Sequence, residues 1–474
     1  MLTKNQAISE LKELFTPGNL VFEQADLKPY SHDEFASEAI ATLPLAVVKP
    51  QEEQQIINLL LFCRENGIPI TARGGGTGLA GACVPAPGGI VLSFERMNSI
   101  LDLDTKNHSV TVSAGTPMGV LFEEVKKANL FFPPHPGDES ACAGGVVSTN
   151  AGGARAVKYG TVKRFITGLR VILADGRVLD LGGKLVKSSM GYNLLDLMIG
   201  SEGTLGIITR VTFSLLPPPG CMQTLVAPFE TIAQATLAVD EFLKEGIIPC
   251  AVEFVERQAI RCAERLLNKK WPAQTGNSSL MIILDGSSEE EVLNQAERIA
   301  ETLERTGAED VLLAEHESKQ AEILEIRSMI YEALRPGAIE LFDVSVPRSE
   351  IPAHVQRVHE IEESCGLPLP TYGHAADGNI HTQSMKLAIR DGELGEELPD
   401  WRRKHEQARK LIYADAIERG GVISGEHGIG LVKRDYLAEN IGVESVEVMR
   451  SIKRTLDPQG ILNPGKIFEM GDGT

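Results

Sequence analysis

From Leu43 to Pro219 the chain alternates brief apolar runs (LPLAVV, IPITA, GGIVLSF, SVTVSAG, LRVILADGRVLDL and LGIITRVTFSLL) with glycine-rich turns. Runs of that length, rich in β-branched residues and bounded by Gly and Pro, predict strands. Between them Ile56, Leu59, Leu60 and Cys63 recur at helical spacing over 51–66, with Pro50 as a start signal and Gly67 as a stop. Leu121, Phe122 and Val125 repeat the helical pattern from Met118 to Ala128.

Pro217, Pro218, Pro219 and Gly220 can continue neither a helix nor a central strand, so a boundary is expected there. Beyond it the order becomes strand, helix, strand: TLVAPF, a helix over 231–245 and CAVEFV, then LMIILD, a helix over 289–306 and VLLA. Ser288 and Glu291 spell a capping box for the second helix, whose core stripe is Val292, Ala296, Ile299 and Leu303. A third unit reads FDVSV, a helix near 351–364 and a strand entering Thr371. The pattern predicts an α+β chain with a helical lead over 1–40, a first domain over 41–219, a second over 220–435, and a helix and Pro/Gly-rich strap over 436–474.

Charge and cysteine usage narrow the function. Asp and Glu outnumber Lys and Arg 65 to 46, a net charge of −19 with no basic run, which argues against nucleic acid as a partner. The seven cysteines form no C-x-x-C pair and no cluster, so neither a cysteine zinc site nor a cysteine-bound iron–sulfur cluster is expected. An odd, scattered set fits a reducing cytoplasm. The start lacks a signal-peptide pattern, and no apolar run nears the ~18 residues that span a bilayer, so an integral membrane protein is not expected.

Gly76, Gly78 and Gly81 spell G-x-G-x-x-G after a strand-like run, yet Pro85, Pro87, Gly88 and Gly89 follow where a dinucleotide fold needs a helix. No NAD site is expected. Such a loop can still turn its backbone N–H groups inward as an anion nest, with Arg73 supplying charge. Two further glycine-rich stretches, PGDESACAGGVVSTNAGG from Pro136 and IGSEGTLGIIT from Ile199, offer enough backbone donors for a long diphosphate ligand.

In this order, RGGGTG, PGDES…GGVVSTNAGG, DLMIGSEGTLGIIT, YGHAADGNIH, SGEHGIG and DPQGILNPGK resemble the FAD-linked D-2-hydroxy acid dehydrogenase family. That family is a branch of the vanillyl-alcohol oxidase/p-cresol methylhydroxylase superfamily. It includes D-lactate dehydrogenases, D-2-hydroxyglutarate dehydrogenases and the FAD-linked glycolate oxidase subunit. The resemblance implies a two-subdomain p-cresol methylhydroxylase-type FAD-binding domain, then a C-terminal α+β domain with a helix-covered, largely antiparallel sheet. It places the FAD pyrophosphate on Arg73, Gly74, Gly75, Gly76, Thr77 and Gly78. Pro136, Gly137, Gly144, Gly145, Thr149, Asn150 and Gly152 would line the rest, with Glu202 and Ile207 near the ribose and adenine and Asn463 also on the cofactor. The first loop holds no His, which favours noncovalent FAD, and Cys83 and Cys142 read as small buried residues.

His374 and His381 flank Asp377-Gly378-Asn379, a turn signal that folds two strand ends together. Two His and a carboxylate can hold a divalent metal, although the interval to Glu426 is no recognised zinc signature. The resemblance makes His374, His381 and Glu426 the ligands of one metal (Zn, Fe or Mn) and His427 the catalytic base. Ala376 replaces the second Gly of the usual motif. The substrate carboxylate calls for an arginine fork. Arg327 matches the family position and Arg348 is the second choice, while Gln383, two past His381, would face the same way on a strand.

The expected reaction is oxidation of a D-2-hydroxy acid by hydride transfer to FAD. IEL stands where D-2-hydroxyglutarate enzymes carry a Lys, which favours D-lactate or glycolate. Electrons would pass to an external acceptor: an iron–sulfur subunit, an electron-transferring flavoprotein, a quinone or a cytochrome. Peripheral membrane attachment through a partner, and a homo- or hetero-oligomer, stay open. The competing readings are an alkylglycerone-phosphate-synthase-like transferase and a non-catalytic flavin subunit.

Overall fold

The computed structural model describes residues 2–35, 38–314 and 316–470. The parts of the expected lead and strap at Met1, Ala36, Ser37 and 471–474 lie outside these. Two compact units emerge, one made of 1–151, 161–218 and 426–474, the other of 152–160 and 219–425.

The first unit opens with α1 (Lys4–Leu14), capped by Thr3, whose side chain accepts from the Gln6 N–H. Strands β1 (Leu20–Val21), β2 (Ala46–Val48), β3 (Ile70–Arg73) and β4 (Ile90–Ser93) form a sheet in the order β1-β2-β4-β3. Helix α2 (Glu53–Asn66) starts two residues later than the pattern suggests and ends, as expected, at left-handed Gly67. Strands β5 (Ile100–Asp104), β6 (Ser109–Ser113), β7 (Ile166–Ile172), β8 (Val178–Gly182) and β9 (Ile207–Ser214) form an antiparallel sheet in the order β5-β6-β9-β7-β8. Helix α3 (Met118–Lys127) follows the predicted span. The second glycine-rich stretch is not all loop, because Ala143–Thr149 forms α4. A Cβ on Gly144 would lie 2.8 Å from that of Ala114, so the glycine lets this helix press against the chain after β6.

The second unit is built on a seven-stranded antiparallel sheet. Its strands are β10 (Cys221–Phe229), β11 (Ala251–Glu256), β12 (Ser278–Gly286), β13 (Leu312–Leu313), β14 (Ala338–Ser345), β15 (Thr371–His374) and β16 (Asn379–Met385), in the order β13-β10-β12-β11-β15-β16-β14. Helices α5 (Ile232–Lys244) and α6 (Glu289–Arg305) pack on β10 and β12. The α6 stripe of Val292, Ala296, Ile299 and Leu303 is buried as expected. Its cap is shared differently: Ser288 accepts the Glu291 N–H, but the Glu291 carboxylate reaches the N–H and hydroxyl of Ser287. Helix α7 (Glu317–Ser328) carries Arg327, and α8 (Ile351–Cys365) packs between α5 and α9 (Trp401–Glu418). α9 covers the sheet face bearing Phe342 and Ser384, where the His405 ring stacks on Phe342 and bonds the Ser384 hydroxyl at 2.9 Å.

The chain returns to the first unit at Glu426. There α10 (Val443–Leu456) precedes the strap, in which Leu462 lies alongside Ile70 of β3 and buried Lys453 donates to the carbonyls of Thr204 and Leu462, 2.7 Å each. Among the described residues no helix is long and apolar enough to cross a membrane.

Candidate functional site

In the first unit the turn after β3 opens on a cavity of about 360 Å³. Arg73, Gly74 and Gly75 line it together with Cys142 and with Gly115 and Ser140, the last two not singled out by the sequence pattern. The wall admits no side chain at two of the glycines: a Cβ on Gly74 would stand 2.8 Å from the Cys142 Cβ, and one on Gly75 2.7 Å from the Ser140 carbonyl oxygen. A backbone-walled slot of this kind suits a diphosphate cofactor. No helix follows Gly76, Gly78 and Gly81 before β4, where a dinucleotide fold would open one.

Arg73 is anchored by its guanidinium, which donates to the carbonyls of His32 (2.6 Å) and Pro29 (3.2 Å). Gly76 is left-handed, and a Cβ there would collide with that guanidinium at 2.1 Å. Pro136 and Gly144 are buried, Gly137 and Gly145 exposed, and Thr77, Gly78 and Thr149 half-buried. Asn150 ends α4 in the left-handed region, and its side-chain oxygen accepts from the hydroxyl of Thr161 (2.9 Å). Gly152 begins the short piece of chain that belongs to the second unit. Ile207 is the buried first residue of β9. The side chains of Glu202 and Asn463 bond protein groups: Glu202 accepts from the N–H of Ile429 and Gly430, and Asn463 donates to the carbonyls of Ala82 and Glu202.

In the second unit the register of four strands gathers polar side chains on one face. Glu253 lies opposite His374, Tyr372 opposite His381, and His381 opposite Asp343. The hairpin signal in Asp377-Gly378-Asn379 holds, with left-handed Gly378 packed so close to the Val346 carbonyl that a Cβ would come within 2.1 Å. Ala376 avoids the left-handed region, so its Cβ costs nothing there. The rings of His374 and His381 meet edge to face, 5.2 Å between centroids.

Glu253, 1% exposed, ties this face together. One oxygen is 2.5 Å from His374 Nδ1, and the other accepts from Arg327 Nη2. Burial alone would raise its carboxyl, but the charges of His374 and Arg327 outweigh that and hold it down at about 2. Arg327 lies over the Tyr372 ring at 4.9 Å, and among the described residues its Nε finds no acceptor. The Tyr372 hydroxyl and both side-chain polar atoms of Gln383, which is fully buried two residues after His381, likewise find no hydrogen-bond partner among the described residues. Arg348 stands exposed on the turn that leads into α8. Gly425 donates to the Asp343 carbonyl at 2.9 Å, and Glu426 and His427 follow it directly, with Glu426 Oε1 3.8 Å from His427 Nε2.

Sequence reasoning missed Glu253, Tyr372 and Asp343. For the two acids the one available signal was their place inside an apolar strand, in AVEFVE and LFDVSV.

Residues 44–182 match the family described as FAD binding domain, and residues 219–467 match FAD linked oxidases, C-terminal domain. Together they define the class, an FAD-dependent oxidoreductase. D-lactate dehydrogenase of Archaeoglobus fulgidus is 41% identical over 421 residues, 89% of this chain and 90% of that protein. Glycolate oxidase subunit GlcD of Bacillus subtilis is 35% identical over 99% of this chain and 97% of its own. A solved p-cresol methylhydroxylase with substrate bound shares the fold at a TM-score of 0.80 and 18% identity, over 99% of this chain and 98% of that one. The chain belongs to the FAD-linked oxidase family, in the D-2-hydroxy acid branch of the vanillyl-alcohol oxidase/p-cresol methylhydroxylase superfamily.

Proposed function

We propose that this chain oxidises a D-2-hydroxy acid, D-lactate or glycolate, to the 2-oxo acid. His427 takes the hydroxyl proton, and the carbon bearing that hydroxyl gives up its hydride. The observation that carries the reading is the buried amide of Gln383, which lies on the same strand face as His381 and makes no hydrogen bond to the described protein. A buried amide left unmade costs about 1–3 kcal/mol, a cost that a polar ligand offsets. The Tyr372 hydroxyl and the Arg327 Nε add two more donors for a carboxylate.

His374, His381 and Glu426 are the proposed metal ligands. Glu253 orients His374 through Nδ1, the bond by which a ligating histidine is commonly aligned. A divalent metal bound there supplies Lewis acidity that lowers the hydroxyl pKa. The loops at 73–78, 136–152 and 200–207 are the proposed seat of noncovalent FAD, which accepts the hydride when bound. Arg327 clamps the substrate carboxylate, Gln383 and Tyr372 fix its orientation, and Arg348 is the lesser candidate. The seven thiols are all free and scattered, so the electrons leave for an external acceptor, an iron–sulfur subunit, electron-transferring flavoprotein, quinone or cytochrome. Free thiols also fit the cytoplasm.

Anaerobic mixing of the holoenzyme with D-lactate, glycolate and D-2-hydroxyglutarate tests the reading. Bleaching of the flavin band by either of the first two is expected, and no bleaching by any hydroxy acid would sink it.

A further inference from the structure

Glu202 places a buried carboxylate against the loop that follows His427. The residue is 5% exposed and adopts a left-handed backbone, φ 49°, uncommon for a side chain of its size. Its own backbone is gripped at both ends: the N–H donates to the Ser148 carbonyl of α4 at 2.8 Å, and the carbonyl accepts from the Asn463 amide at 2.7 Å. The two carboxylate oxygens then accept separately, one from the N–H of Ile429 and one from that of Gly430, each at 2.8 Å.

The loop is shaped to receive them. Gly428 has φ +83°, and a Cβ there would come within 2.9 Å of a Glu202 oxygen. Gly430 has φ +51°, and its Cβ would lie 2.0 Å from the Ala80 carbonyl, which also accepts the N–H of Leu431 at 2.9 Å. The segment after His427 is thus held between Glu202 and the glycine loop that follows β3. Each N–H has its own oxygen, an arrangement that a glutamine in the same pose cannot reproduce because it turns its NH2 toward one of them.

We propose that Glu202 is a positioning residue for the proton transfer: by fixing the backbone of Ile429 and Gly430 it sets where the side chains of Glu426 and His427 stand. This gives Glu202 a task other than contact with the cofactor, and it rests on the reading of His427 as the base.

Glu202→Gln and Gly428→Ala attack the same two hydrogen bonds from opposite sides, so a folding defect in one leaves the other to decide. In the purified holoenzyme, amide exchange over 425–433 is expected to speed up about tenfold or more, with that of α10 unchanged. The flavin-to-protein absorbance ratio should hold. Limiting flavin reduction by D-lactate should fall about 100-fold, with the half-saturating concentration within about twofold, since displacement of a reacting group costs rate at saturation. Unchanged loop exchange overturns the proposal, as does faster exchange with reduction at the wild-type rate. Loss of FAD with unchanged loop exchange also overturns it, in favour of a cofactor contact. His427→Ala is the separating control: it should keep slow loop exchange and abolish reduction. If instead it reduces normally while Glu202→Gln is slow, the base reading fails and the positioning role stands.

Discussion

Replacing Glu253 with Gln tests whether one buried acid organises the histidine face. The substitution keeps the shape and removes one of two acceptors. Facing His374 Nδ1 with its oxygen, the new side chain must present an NH2 to Arg327 Nη2, donor against donor, and turning over relieves this only if the His374 proton moves to Nε2, leaving Nδ1 to accept and Nε2 unable to ligate a metal. The group is 1% exposed, so water cannot repair the loss. Breaking a buried charge pair of this kind costs about 3–5 kcal/mol in the apo protein. Loss of the bond that orients a ligating histidine weakens metal binding about 10–100-fold. A metal that stabilises by mass action then gives up about 1.4–2.7 kcal/mol of its protection. The assay is competition with a chelator of known affinity, read by elemental analysis, alongside melting curves with and without the metal. Half-saturation by D-lactate should also rise, because Arg327 loses the anchor that aims its fork. Metal affinity within twofold of wild type, with an unchanged metal-dependent shift in melting, would refute the reasoning.

Gln383→Leu removes two unpartnered buried polar atoms, so the apo protein should gain about 1–3 kcal/mol against denaturant while the half-saturating D-lactate concentration rises about tenfold. Stability lost together with unchanged substrate response would refute a ligand-facing amide. Gly75→Ala drives a Cβ to 2.7 Å from a backbone oxygen in the cavity wall, and the purified protein should come off the column without its yellow colour. Asp33 is buried, and desolvation raises its carboxyl from 3.8 to about 6 despite the nearby Arg73. Because the folded state holds that proton more tightly, stability falls as pH rises from about 4 to about 6, by about 3 kcal/mol in all. Asp33→Asn should therefore stabilise at pH 7.5 and be neutral at pH 4; equal effects at both would count against it.

What could be read along the chain was local. Apolar runs located the strands from β2 to β9 except β5, whose ILDLD was not read as one, and the prolines after Leu216 marked where the second sheet starts. The order of that sheet, β13-β10-β12-β11-β15-β16-β14, could not be read, because each pairing joins segments whose own periodicity says nothing about a partner. Glu253 is the clearest instance: it meets His374 across 121 residues, and alone in AVEFVE it is merely an acid in an apolar strand. The histidines were legible because they bracket a turn motif, and the acid that aims one of them was not. Glycine had the same two-sided meaning. In the loop after β3 it announced close backbone approach, but Gly144 and Gly145, poor helix formers, are wound into α4, where the missing Cβ of Gly144 permits packing on Ala114. Glu202 extends the point. The motif around it reads as part of a cofactor site, yet its carboxylate accepts from backbone 227 residues away, just past His427. A side chain's type and motif narrow its chemistry, and the tertiary partner decides which group that chemistry serves.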